Sequence, residues 1–172
     1  MQIDTANLKA NAFALPARTV VMSDALVKAY ENQPSVLAGI LGHELTHVNK
    51  QHGRQQVYRS LSLYVWMALI TGDLGPFVEE FLSGGELLMG LVYSREHELD
   101  ADAGAVHLLI KAGYDPQGLI YFFKNFDKKQ NIFAAQEGYE TNRQETEIFS
   151  WFSTHPSNAA RITAMEKQIT SQ

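Results

Sequence analysis

The chain has no cysteine among its 172 residues. That excludes disulfides, thiolate nucleophiles and cysteine-ligated zinc, so any metal must be held by histidine and carboxylate. It leaves the compartment open, because a cysteine-free chain tolerates oxidising and reducing spaces alike. Basic charge is also short: 14 Lys and Arg stand against 19 Asp and Glu, a net charge of -5, and the cations are scattered. Nucleic acid is therefore excluded as an expected partner, and acidic substrates are not favoured. A long hydrophobic run is missing too. The most apolar stretch, "LSLYVWMALI" at residues 61–70, ends at Thr71, Gly72 and Asp73, well short of the roughly 20 residues of a spanning helix. The opening "MQIDTANLKA" has neither the basic nor the apolar region of a secretory signal. Repeats and low-complexity tracts are absent. What remains, 45% hydrophobic and 19% charged residues, fits one domain over residues 1–172 with a real core.

The elements read as mainly helical with a small sheet, an α+β class. "NAFALP" and "RTVVMS" predict two short strands at residues 11–15 and 18–23, separated around Pro16. Asp24 starts a short helix to about Tyr30. A longer helix is predicted over residues 34–52, with Pro34 near its start and Gly53 just past its end. Val36, Leu37, Ile40, Leu41, Leu45 and Val48 recur at helical spacing and mark it as mostly buried. Residues 61–90, glycine-rich amid large apolar side chains, read either as core packing or as a lid or interaction segment. A second long helix is predicted over residues 91–112, with Leu99, Ala103, Val106 and Ile110 as its apolar stripe and Gly113 as its stop.

Within the first long helix lies "LGHELTHVNKQH", residues 41–52. Helix positions four apart share a face, with Cβ atoms about 5 to 6 Å apart, so His43 and His47 can aim ring nitrogens at one ion. Glu44 is rotated by about 100° from His43, beside such an ion rather than on it. A carboxylate there can take a proton from an attacking water and return it to a leaving amine. Two histidines and a glutamate on an apolar helix are costly unless something satisfies them. A catalytic zinc takes three protein ligands, so a third is needed from elsewhere. Glu96, Glu98, Asp100 and Asp102 crowd the second helix; Glu98 with Asp102, or Glu96 with Asp100, share a face, and periodicity favours the first pair only modestly.

HELTH followed by "SREHELDAD" resembles the HtpX-type zinc metallopeptidases, peptidase family M-48, which includes CAAX prenyl proteases, the mitochondrial OMA-type protease and periplasmic bacterial members. Ser94, Arg95, Glu98 and Asp102 match that family's second motif, "NAFALP" resembles its Asn-Ala-Phe-Ala strand, and "HPSNAARI" its His-Pro and Arg-Ile element. One departure stands after the strand, where the family usually has glycine and this chain has Ala17 and Arg18; it bears on the shape of the turn.

The resemblance implies a zincin-like (gluzincin) domain holding one Zn2+ per chain, with His43, His47 and Glu98 as ligands and Glu44 as general base. It implies that Asp102 supports a ligand histidine, that Arg95 is either a partner of the acidic cluster or an exposed arginine, and that Arg161 fixes the last helix, residues 155–170, to the core. His155 is expected to approach the metal, as a fourth ligand or as a donor near the reacting carbonyl; the alternative is a packing role ahead of a helix started by Pro156. Substrate would add as a strand along Asn11, Ala12, Phe13 and Ala14. The implied activity is a zinc metalloendopeptidase acting on unfolded or misassembled polypeptides in the periplasm of the bacterial cell envelope, with peripheral membrane or envelope-complex contact. The alternative is a zinc-stabilised, self-inhibited chaperone-like binding module. Of the other histidines, His52 is expected to end its helix, His97 to face solvent and His107 to pack.

Overall fold

The computed structural model describes residues 10–15, 18–73, 75, 93–125, 151–152, 154–156 and 159–171. These are mainly helical, with one small antiparallel sheet at the N-terminal side. Strand β1 (Ala12–Leu15) pairs with β2 (Thr19–Met22) in the register Ala12 to Met22 and Leu15 to Thr19. The tight connection uses Arg18, whose φ of 63° lies in the left-handed region and whose N–H donates to the Leu15 carbonyl at 3.1 Å. A glycine would suit that backbone, so the departure from the family pattern leaves a strained residue in place of an easy one. Ser23 then joins sheet to helix: its hydroxyl caps α1 (Asp24–Ala29) by accepting from Leu26 N–H, and also accepts from Asn11 N–H at 2.9 Å.

Helix α2 (Pro34–Lys50) begins with Pro34 in its first turn and stops two residues earlier than expected. Gln51, at φ 59° and ψ 31°, takes the left-handed conformation, and α3 (His52–Thr71) starts at once. Gly53 is therefore inside a helix, not a stop, and His52 opens a helix instead of closing one. Helix α4 (Arg95–Ala112) starts at Ser94, which caps it by accepting from His97 N–H at 3.3 Å, so its first turn lies later than the expected residue 91. Gly113 closes it at φ 77°. Residues 117–125 are helical, and α5 (Ala159–Thr170) is the last helix. Pro156 lies outside α5.

Helices α2 and α4 cross at small residues. Gly42 faces Ala105, and a Cβ on Gly104 would collide with Thr46, so the two backbones approach more closely than larger side chains would permit. Around this crossing Leu26, Ile40, Val106, Leu119, Phe122, Phe123, Trp151 and Met165 form the apolar core.

Burial departs from the apolar pattern in three places. The buried face of α4 carries Glu98, Ala101, Asp102, Ala105, Val106 and Leu109, whereas Ile110 of the expected stripe is exposed. On α2, Leu41 and Leu45 are exposed; they line an apolar groove of about 520 Å³ with Leu37 and Leu109. On α3, Leu63, Val65, Trp66, Met67, Leu69 and Ile70 all face solvent, Leu69 and Ile70 at 76%. The described part of segment 61–90 is thus not core; residues 74 and 76–90 of it fall outside the described residues.

Candidate metal centre

The buried end of the crossing is polar. His43, Glu44 and His47 lie on the α2 face turned toward α4, and Glu98 meets them from the first turn and a half of α4. His155 arrives from the turn after Trp151, its N–H donating to the Trp151 carbonyl at 3.1 Å. One ligand atom from each of His43, His47, Glu98 and His155 lies within 4.8 Å of every other, and all four residues are buried. The nearest separations are 3.0 Å between the two Nε2 atoms of His43 and His47, 3.3 Å from His43 Nε2 to His155 Nδ1, 2.9 Å from His155 Nδ1 to Glu98 Oε1, and 3.4 Å from His47 Nε2 to Glu98 Oε1. A tetrahedron of ligands about 2.0 to 2.1 Å from zinc has edges of about 3.3 to 3.4 Å. Lone pairs packed this closely repel unless a cation or proton sits among them. The donor set, nitrogen and oxygen only, therefore fits zinc.

Each α2 histidine is backed from behind. His43 Nδ1 is 3.0 Å from Asp102 Oδ1, and Asp102 is gripped by Arg161 through Nε and Nη2, both at 2.7 Å. Arg161 Nη1 also lies 2.7 Å from Glu98 Oε2 and donates to the Pro156 carbonyl at 2.8 Å. His47 Nδ1 instead meets His52 Nδ1 at 3.0 Å.

The charges follow from these partners. Burial works against a proton on His43, but hydrogen bonds to Asp102 and Glu98 outweigh it and lift its pKa to about 9. Burial above all, with His43 alongside, pushes His47 down to about 2. Burial would raise Glu98, yet the His155 charge and hydrogen bonds from the three histidines reverse this and hold it far below the carboxylate range.

Glu44 sits beside this cluster. Trp151 Nε1–H donates to its Oε1 at 3.0 Å, and His155 Nε2 is 3.4 Å from the same oxygen. Glu44 Oε2 is buried with no hydrogen-bond partner among the described residues. Aromatic rings hold the histidines: Trp151 stacks on His155 at 4.5 Å, and Tyr93 stacks on His47 at 3.9 Å.

Of the residues singled out in the sequence, His43, Glu44, His47, Glu98, Asp102, His155 and Arg161 converge here. Arg95 does not: it is exposed at the start of α4, and the guanidinium at the acidic pair is that of Arg161. Asn11, Ala12, Phe13 and Ala14 lie at the sheet, where Ala14, Leu15 and Arg18 share a narrow crevice with His47 and Arg54. His52 is buried against His47, His97 is half-buried with its ring stacked on His52 at 4.3 Å, and His107 is exposed; all three differ from expectation. Sequence reasoning did not single out Trp151 or Tyr93, named Asp100 only within the acidic cluster, and gave His52 only a helix-end role. Only for Trp151 was there a usable signal, its position four residues before His155.

A buried His-Glu-His face with a second glutamate and histidine brought against it defines the class of zinc metallopeptidases. Comparison with known proteins gives the family: the chain belongs to Peptidase family M48, whose model matches residues 1–169. The resemblance carried by the motifs is thereby borne out. Among curated relatives, Mitochondrial metalloendopeptidase OMA1 of Arabidopsis thaliana is 33% identical over 109 residues, 62% of this chain and 21% of that protein. Beta-barrel assembly-enhancing protease of Yersinia pestis is 27% identical over 171 residues, 91% of this chain and 32% of that protein. Protease HtpX homolog of Limosilactobacillus fermentum is 27% identical over 195 residues, covering 91% and 63%. The chain spans about a fifth to a third of the length of the first two.

Proposed function

We propose that the chain is a zinc metalloendopeptidase unit of zincin-like type, with His43, His47 and Glu98 as ligands of one Zn2+ and Glu44 as general base. The observation that carries this is the convergence of four buried donor atoms at spacings near a tetrahedral edge, beside a buried carboxylate oxygen with no hydrogen-bond partner among the described residues. Bound zinc would supply Lewis acidity, lowering the pKa of a water and polarising a scissile carbonyl. The residues do the rest. Trp151 holds Glu44 by Oε1, leaving Oε2 to take the proton of the attacking water and return it to the leaving amine. Asp102 accepts from His43 Nδ1–H, which fixes the tautomer that presents Nε2 to the metal.

Substrate in this reading lies along β1. Ser23 N–H donates to the Asn11 carbonyl, and antiparallel alternation then turns the N–H and C=O of the half-buried Ala14 away from β2, whereas Ala12 is buried and its N–H donates to Asn11 Oδ1 at 2.9 Å. An extended peptide pairing there would be read by its backbone, with little sequence preference, which suits unfolded or misassembled polypeptides. An envelope location is supported by the relative named for β-barrel assembly. Among the described residues no helix is long and apolar enough to cross a membrane, and the exposed apolar side chains of α3 are the surface this reading gives to peripheral or envelope-complex contact.

A second reading is favoured by one observation: His155 Nδ1 lies 3.3 Å from His43 Nε2, close enough to the other donor atoms to serve as a fourth ligand. With all four protein ligands engaged the site is closed, as structural zinc sites are, and the chain would be self-inhibited or act as a binding module. Cleavage of unfolded casein by zinc-loaded protein separates the two. The peptidase reading expects wild-type activity that falls by about 10²- to 10⁴-fold in Glu44→Gln with zinc retained. A silent wild type that gains activity with His155→Ala means self-inhibition, and silence in both despite bound zinc means a binding module.

A further inference from the structure

His52 is a buried histidine that the proposed chemistry does not use. It follows Gln51, and the left-handed backbone of that residue turns the chain so that the His52 ring meets His47 edge-on, centroids 5.0 Å apart at 78°. Its Nδ1 lies 3.0 Å from His47 Nδ1, while its Nε2 lies 3.2 Å from Asp100 Oδ2. His97 stacks flat on the ring at 4.3 Å and 13°, and Gln55 Oε1 holds His97 Nε2 at 3.2 Å. Lys50 Nζ is 3.3 Å from Asp100 Oδ1. A non-glycine residue in the left-handed region is strained, and such strain persists where surrounding contacts over-determine it. Here those contacts all serve the placement of one imidazole.

The atoms dictate where the protons go. A carboxylate only accepts, so the proton of a neutral His52 belongs on Nε2, facing Asp100. His52 Nδ1 is then an acceptor, and the short contact to His47 Nδ1 requires a proton on the His47 side. His47 Nε2 is left with its lone pair, aimed at His43, Glu98 and the space between them. We propose that Asp100 and His52 form a positioning relay that fixes the tautomer and ring orientation of His47 as a metal ligand, the counterpart on this side of the Arg161 and Asp102 support behind His43. This rests on the zinc reading, and it gives a role to two residues, His52 and Asp100, that are not among the matched positions of either motif. The relay starts at the surface, because the Asp100 side chain is 42% exposed, whereas the Asp102 support is buried throughout.

The test is zinc affinity, measured by chelator competition on the full chain for wild type, Glu44→Gln, His52→Leu, His52→Asn and Asp100→Asn. Loss of a hydrogen-bonded support behind a ligand typically costs about 10- to 100-fold in metal affinity. His52→Leu is expected to lose that much. His52→Asn, whose Oδ1 replaces the Nδ1 acceptor, is expected to recover most of it, and Asp100→Asn to lose less than His52→Leu. Nitrogen-15 correlation spectra of zinc-loaded wild type should show His47 protonated on Nδ1. Zinc affinity unchanged in His52→Leu, or His52→Asn no better than His52→Leu, overturns the relay. Should His52→Leu fail to fold, His52→Asn within threefold of wild type together with the Nδ1 proton supports it, and a His47 proton absent from Nδ1 overturns it. Failure of the zinc reading looks different: wild type itself would not retain zinc, or Glu44→Gln would cleave casein as wild type does.

Discussion

The face between α2 and α4 and the outer surface of α3 invert the usual rule. The first buries three histidines, three carboxylates and an arginine at 3% exposure or less, while the second leaves Trp66, Leu69 and Ile70 in water. Hydrophobicity accounts for neither alone. Most of the buried polar groups are tolerated because they meet a partner from another element: Asp102 on Arg161, Glu98 on Arg161 and the histidines. The exposed apolar residues of α3 are concentrated between Leu63 and Ile70, a grouping that marks a contact surface more than it supports the fold. Stability therefore depends more on keeping the polar face paired than on covering α3.

Breaking the polar face should have the largest effect. Arg161→Met keeps bulk but leaves Asp102 and Glu98 buried without their cation, and is expected to cost about 3 to 5 kcal/mol in urea denaturation of the metal-free protein. Next comes the crossing itself. Gly104→Ala drives a methyl into Thr46 and should cost about 1 to 3 kcal/mol; because His43 and His47 sit on one helix and Glu98 on the other, it should weaken zinc binding too.

The pH dependence of the metal-free protein sharpens the contrast. His43 has a folded pKa of about 9, above its ordinary 6.5, so its stabilisation is complete below 6.5 and is lost as pH rises toward 9. His47, at about 2, gives stability that is present above 6.5 and lost as pH falls below it. Glu98, held low, adds to the loss below its ordinary 4.5. Melting temperature is therefore expected to peak near neutrality and fall on both sides.

Smaller effects complete the comparison. Gln51→Gly relieves a left-handed residue and should stabilise by about 1 kcal/mol or less, seen as a small rise in denaturation midpoint. Trp66→Ser and Leu69→Ser on α3 should change stability by no more than about 0.5 kcal/mol, and a larger loss would mean that α3 is covered after all.

Much of this was legible in the sequence where local rules act alone. Pro34 marked the start of α2, alternation marked β1, β-branched residues marked β2, and Gly113 marked the end of α4. The family motifs brought the buried donor residues to attention before any geometry. The stop of α2 was misread because glycine was expected to take the left-handed turn, and Gln51 takes it instead. The α4 stripe was misread because an apolar count omits Glu98 and Asp102, the residues its buried face exists to carry. The roles of His52 and Trp151 were missed because they depend on a second element, Asp100 on α4 for one and Glu44 on α2 for the other, and no spacing within one helix reveals that.

The most direct test is zinc-edge X-ray absorption on purified chain, with zinc stoichiometry measured on the same sample. One zinc per chain, with nitrogen and oxygen ligands at about 2.0 to 2.2 Å and a binding loss in Glu98→Gln, is the expected result. A chain that retains no zinc, or one that binds it equally well without Glu98, would contradict the assignment of His43, His47 and Glu98 as a metal centre.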